Sequence, residues 1–211
     1  MHTGLGWTEA RNIQIDYHWA GTDTNQIQAI AKQLVNSRPD LIIAHSTPVA
    51  AAVQRETTNI PVVFVTVSDP VGSGFVASLA QPGGNMTGFI NIESSLGGKW
   101  VELLMEIAPR ATRVGLIFNP ETAPHFSYYL RPFEAAARSF GIEPVTAIVR
   151  NSDDMERLVM SLSSGDSGLA VMPDIFTAEK RNHDLIISLV ARRRVLQFIL
   201  TRTWWVRRSY P

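Results

Sequence analysis

A chain of 211 residues with 45% hydrophobic and 18% charged side chains has the composition of a folded globular protein of one or two domains. Its 19 basic and 19 acidic groups cancel, which argues against a nucleic-acid surface, and the lack of cysteine excludes disulfides, cysteine nucleophiles and thiolate metal sites. No stretch reaches the roughly 18 apolar residues of a membrane span, and residues 1–10 lack the basic start and apolar run of a signal peptide.

Short β-rich runs alternate with helical periodicity, the signature of an α/β fold built from parallel βαβ units. Ile13, Ile15, Tyr17 and Trp19 alternate as in a half-buried strand, whereas Ile27, Ile30, Ala31, Leu34 and Val35 fall at helical spacing. Residues 41–44 form a short apolar run, 47–57 predict a helix with Pro48 in its first turn, and the β-branched run 61–67 predicts a central strand. A strand is expected at 86–91, then a helix with Trp100, Leu103, Leu104 and Ile107 on one face, stopped by Pro109. Strands at 113–118, 144–149, 168–172 and 195–200 alternate with helices at 126–140, 152–162 and 177–190. Gly141 ends the first of these helices, and Ser152 or Asp153 caps the second.

The segment 68–85 breaks the rhythm with Gly72, Gly74, Pro82, Gly83 and Gly84, which places the passage between two lobes near residue 90. The organisation read from this is an incomplete N-terminal lobe at 1–90, a C-terminal lobe at 91–194 and an atypical tail at 195–211. From Arg192 onward there are six arginines and no acid.

Five segments carry a resemblance: "GWTEARNIQIDYHWAGTD" (6–23), "RPDLIIAHSTPVAAAVQ" (38–54), "IPVVFVTVSDPVGSGFVASLAQPGGNMTGF" (60–89), "GGKWVELLMEIAPRATRVGLIFNPET" (97–122) and "PDIFT" (173–177). With them the sequence is similar to the ABC-transporter substrate-binding proteins of periplasmic-binding-protein type I fold, which include tryptophan- and tyrosine-type amino-acid receptors. The resemblance implies two Rossmann-like lobes, a small-molecule ligand between them, a permease partner and a periplasmic or extracytoplasmic location. It also implies a signal peptide, a strand and a helix before Gly6-Trp7, and a return to the first lobe after about Arg194. Neither is found here, so the expectation is of a chain lacking its first βα unit and its C-terminal return segment, with a sheet edge exposed for dimerisation.

In open α/β sheets ligands sit outside the carboxyl ends of strands, where helix N-termini favour anions. After residues 41–44 come His45, Ser46 and Thr47, whose hydroxyls either hold a carboxylate or simply cap the next helix. Ser68 and Asp69 precede Pro70, and an acid beside a hydroxyl suits an ammonium group as well as it suits a turn. The resemblance tips this pair toward function and adds Asn91 on the crossover, Asn119 after the first strand of the second lobe and Asp174 after its third. It further implies an amino acid with an aromatic or branched apolar side chain, for which Phe64, Phe89, Phe118 and Phe176 are candidate neighbours when they are not core.

No G-x-S-x-G elbow, nucleotide loop or paired-ligand histidine spacing occurs, so no catalytic residue, cofactor or metal is expected. His2, His18, His125 and His183 read as ordinary surface histidines. Trp204 and Trp205 among arginines suit base stacking or a membrane interface less well than an out-of-frame end. Two other readings stand beside a solute receptor: the ligand-sensing domain of a regulator, and an inactive truncated remnant.

Overall fold

The computed structural model describes residues 6–162, 166–193 and 196–199. Two separate parallel sheets organise the chain. The first is built from β1 (Ile42–His45), β2 (Val62–Val67) and β3 (Met86–Ile90), in the order β1-β2-β3. Helices α1 (Thr24–Asn36) and α2 (Thr47–Glu56) precede β1 and β2. Asp23 starts α1 by accepting the Asn25 and Gln26 N–H groups, which would otherwise lack a partner at a helix end. Ile27 and Ala31 of α1 and Ala50 and Val53 of α2 share one core with Ile42, Ala44, Val62, Phe64 and Met86.

Only one face of this sheet is enclosed. On the other, Ile43 is 68% exposed and Phe89 71% exposed. The run 61–67 does supply the middle strand, but its alternate residues Val63 and Val65 are only half-buried.

The strand expected at 11–19 is not formed. Apart from a single bridge between Glu9 and Ile13 the stretch joins no ladder, and Ile15, Tyr17 and Trp19 are exposed. Alternation selects side chains that suit a pleated surface, but a strand also needs a neighbouring edge to take its N–H and C=O groups. Among the described residues no strand of the first sheet lies beside it.

The second sheet contains β4 (Arg113–Phe118), β5 (Glu143–Ile148), β6 (Ser167–Val171) and β7 (Leu196–Ile199) in the order β5-β4-β6-β7. Both faces are covered. Trp100, Val101 and Leu104 of α3 (Leu96–Ile107) pack with Tyr129, Phe133 and Ala137 of α4 (Ser127–Ser139) on Val114, Leu116 and Phe118. Met155, Val159 and Leu162 of α5 (Ser152–Leu162) and Ile186 and Val190 of α7 (Lys180–Arg193) pack on Ile117 and Leu169 from the other side. Helices α3 and α4 cross so closely that a Cβ at Gly97 would lie 2.3 Å from the Tyr129 carbonyl oxygen, which is why a glycine stands there.

Three details differ from the sequence reading. The helix expected at 177–190 is two, α6 (Ile175–Ala178) and α7, because Glu179 leaves helical geometry at ψ 130°. The cap before α5 is Asn151, whose side chain accepts the Asp154 N–H, rather than Ser152 or Asp153. Residues 196–199, within the span read as a tail, pair with β6 as β7, while 200–211, including Trp204 and Trp205, lie outside the described residues. His2 lies outside them as well.

Candidate functional site

Backbone strain marks the carboxyl ends of the first sheet. Ser46, directly after β1, has φ 85°, Thr66 in β2 has φ 59° and Asp69 just beyond it has φ 47°. Left-handed geometry is costly for non-glycine residues and persists only where surrounding structure enforces it, most often at functional sites. The enforcing element is a bulge: the β2–β3 register shifts between Phe64 and Val67. Gly88 makes the close approach possible, because a Cβ there would sit 1.9 Å from the Phe64 carbonyl oxygen. Such a bulge re-aims the side chains that follow it.

Those ends form one wall of a cleft of about 140 Å³, to which His45, Ser46, Thr47, Thr66 and Ser68 contribute. Asn91, on the crossover, also lines it, and Thr122, His125, Pro173 and Asp174 come from the second sheet's loops. Five of the seven candidate residues therefore meet at one place: Ser46, Thr47, Ser68, Asn91 and Asp174. Asp69 and Asn119 are not among the residues lining it. The Asp69 carboxylate accepts the Gly72 N–H at 2.9 Å within its own loop, and Asn119 Oδ1 accepts the Glu121 N–H at 2.9 Å, as in an Asx turn.

Hydrogen bonds stitch the walls together. Thr47 Oγ1 accepts the Ser68 N–H at 2.9 Å, joining the loops after β1 and β2. Tyr129 of α4 places its hydroxyl 2.9 Å from Ser68 Oγ and 3.0 Å from the Ile92 carbonyl oxygen. A carbonyl only accepts, so the phenol donates to it and is free to accept from the serine. Burial pushes the Tyr129 pKa up to about 12, so it stays a phenol.

Asp174 is buried and caps α6. It accepts the Asn119 N–H at 2.9 Å, the Thr122 hydroxyl at 2.5 Å and the Phe176 N–H at 3.1 Å. Burial raises its pKa above the usual carboxylate value, while these three donors pull the other way.

Sequence reasoning missed His125, expected to be a surface histidine. It is only 8% exposed, and neither Nδ1 nor Nε2 has a hydrogen-bond partner. Burial lowers its pKa to about 4, against an opposing pull from Asp69, so the ring is neutral. The available signal was its place in the loop after β4, the same kind of position that nominated Asn119.

The four candidate phenylalanines do not line the cleft. Phe64 faces Phe75 in the first core at 6.5 Å, and Phe118 stacks on Phe126 at 4.8 Å. Phe176 packs against the α5–α7 core, and Phe89 lies on the open face of the first sheet. Strand alternation sends Phe64, Phe89 and Phe118 to the faces of their sheets, and Phe176 sits on α6, whereas the cleft is made by loops at the strand ends.

Residues 3–196 match the sequence profile of the family described as ABC transporter substrate binding protein. The chain belongs to that family. It is 38% identical over 117 residues, 54% of this chain and 32% of the relative, to the "Tyrosine-binding protein" of Clostridioides difficile. A conserved domain protein of Vibrio cholerae has a solved structure matching at TM-score 0.84 and 28% identity, over 94% of this chain and 66% of that one. An ABC domain from Streptococcus pneumonia, solved in complex with L-Trp, matches at TM-score 0.84 and 22% identity over 95% and 66% of the two chains. This substrate-binding protein therefore has the type I periplasmic-binding-protein fold, with two Rossmann-like parallel-sheet lobes. It spans about a third of the curated relative in the matched region and about two-thirds of the solved structures. Among the described residues, no helix is long and apolar enough to cross a membrane and no cluster of three potential metal ligands occurs.

Proposed function

We propose that this chain is the solute-binding component of an ABC import system, working outside the cytoplasm with a membrane permease, and that it holds an amino acid between its two lobes. The observation that carries this reading is the convergence of strand ends from both sheets on one cleft, with strained backbone and polar groups facing each other across it. The lobes divide near residue 90. The ligand's carboxylate is assigned to the N-terminus of α2, where Ser46 and Thr47 stand beside backbone N–H groups with no helical acceptor. Its ammonium is assigned to the other wall, where Asp174 is the acid lining the cleft, with Ser68 and Asn91 between. Asp69 and Asn119 support the loops.

An aromatic or branched apolar side chain is supported by the relatives, one named for tyrosine and one solved with L-Trp. The test is thermal unfolding with and without a panel of amino acids. A ligand at a hundred times its dissociation constant adds about 2.7 kcal/mol, enough to raise the transition by several degrees. No shift with any amino acid would overturn the amino-acid assignment.

A further inference from the structure

The second wall of the cleft holds one polar side chain whose hydrogen-bonding capacity is wholly unused. Thr122 and Asp174 bond to each other, Asp174 also takes the Asn119 and Phe176 N–H groups, and Tyr129 is spent on Ser68 and Ile92. His125 faces the same cleft at 8% exposure, and both its ring nitrogens are buried without a partner. A neutral imidazole carries one N–H donor and one bare acceptor nitrogen, and buried groups of this kind are nearly always paired in folded proteins. The Tyr129 ring stands edge-on to it at 6.2 Å and does not supply a partner for either nitrogen.

Resting on the amino-acid reading above, we propose that His125 is the cleft's specificity-determining residue and pairs with an N–H or O–H on the ligand's side chain. The ligand class is then an amino acid whose apolar side chain ends in a polar hydrogen, as a phenol or an indole does, in preference to the plain hydrocarbon analogue. Two observations favour this over a salt bridge to the ligand's carboxylate. Burial keeps the ring uncharged, its pKa lowered to about 4, and the N-terminus of α2 already offers donors to a carboxylate on the opposite wall. A hydrocarbon ring would leave both nitrogens unpaired, and sites built to hydrogen-bond a substrate group reject analogues lacking it strongly.

The test is titration calorimetry of the whole chain with L-tyrosine, L-tryptophan and L-phenylalanine, for the natural protein and for His125→Phe and His125→Gln. The natural protein is expected to bind tyrosine or tryptophan at least roughly tenfold more tightly than phenylalanine. His125→Phe should bring the three within about threefold while keeping phenylalanine binding, and His125→Gln should retain part of the preference. Because His125→Phe removes two unpaired buried polar atoms, it should unfold at or above the natural temperature. If the larger ring does not fit, His125→Gln carries the comparison. A preference that survives both substitutions, or equal binding of the three ligands by the natural protein, overturns the role of His125 and leaves the amino-acid reading standing. Binding of no amino acid overturns that reading and this one with it.

Discussion

The two sheets are built from similar strands yet differ in how they are enclosed. In the second, every residue of β6 and all but the first of β4 are buried, with α3 and α4 on one side and α5 and α7 on the other. In the first, α1 and α2 cover one face, and the other presents Ile43 and Phe89 to solvent. Parallel sheets are normally covered on both faces, so the second lobe is a finished layer structure and the first carries apolar surface that its own described elements do not bury. The strained loops of the cleft rise from the less enclosed lobe, and the buried network around Asp174 from the more enclosed one.

The largest effect that can break this comparison is a cavity in the second core. Phe133 of α4 is fully buried in the core it shares with α3, and Phe133→Ala is expected to cost about 3–5 kcal/mol in urea unfolding. Hydrogen exchange on the natural protein makes the matching contrast: amides of β1 and β3 should open at lower free energy than those of β4 and β6. Equal protection of the two sheets would show that one-sided cover suffices, and the distinction between the lobes would fall.

Next in size is a pH effect at the junction of the lobes. His125 is packed by Tyr129 of α4, feels Asp69 from the β2–β3 loop, and shares its cleft with His45 and Asp174. Its pKa is near the ordinary 6.5 in the unfolded chain and about 4 in the folded one. Between those values the unfolded chain holds more protons, so stability must fall as pH drops from 6.5 toward 4, by about 3 kcal/mol in all. The difference in unfolding free energy between the natural protein and His125→Phe, followed over this window, isolates that contribution. A flat difference would place His125 in contact with water and outside the closed cleft.

How much of this was legible in the residues follows the same division. In the second lobe, runs such as 113–118 and the helical faces of Trp100 and Leu104 encode their own burial, so elements and fold class could be read directly. In the first lobe the stretch 11–19 carries a strand's alternation without a neighbouring edge, and pairing is a property of the partner as much as of the strand. The cleft was partly legible because strand ends are: Ser46 and Thr47 were nominated by position, Ser68, Asn91 and Asp174 by position together with the family resemblance, and the five line one cleft. Asp69 and Asn119 show the limit of that rule, since at a strand end the same side chain can turn to its own loop. His125 was hidden because burial of a loop residue depends on tertiary packing, here beside Tyr129 of α4, which no local pattern encodes.

A smaller effect sharpens the second lobe's role in holding the site. Thr122→Val removes the hydroxyl donor to the buried Asp174 carboxylate while conserving shape, and loss of a hydrogen bond to a charged group costs about 1.5–3 kcal/mol. The carboxylate pKa, already raised by burial, should rise further, which an NMR titration of Asp174 would detect. An unchanged titration would mean that the Asn119 and Phe176 N–H groups alone set its charge.

The smallest expected effect on stability falls on the open face. Ile43 is 68% exposed, at the middle of a strand whose outer edge pairs with no described strand. Ile43→Lys should therefore change unfolding free energy by no more than about 0.5 kcal/mol, where the same change at Leu116 of the enclosed sheet would bury a charge and prevent folding. Charged side chains, lysine above all, are also what natural edge strands use against edge-to-edge pairing. If the β1 edge joins two copies, sedimentation velocity will show a dimer of the natural chain that Ile43→Lys weakens. A large loss of stability instead would mean that something covers this face, and the contrast between one-sided and two-sided enclosure would have to be redrawn.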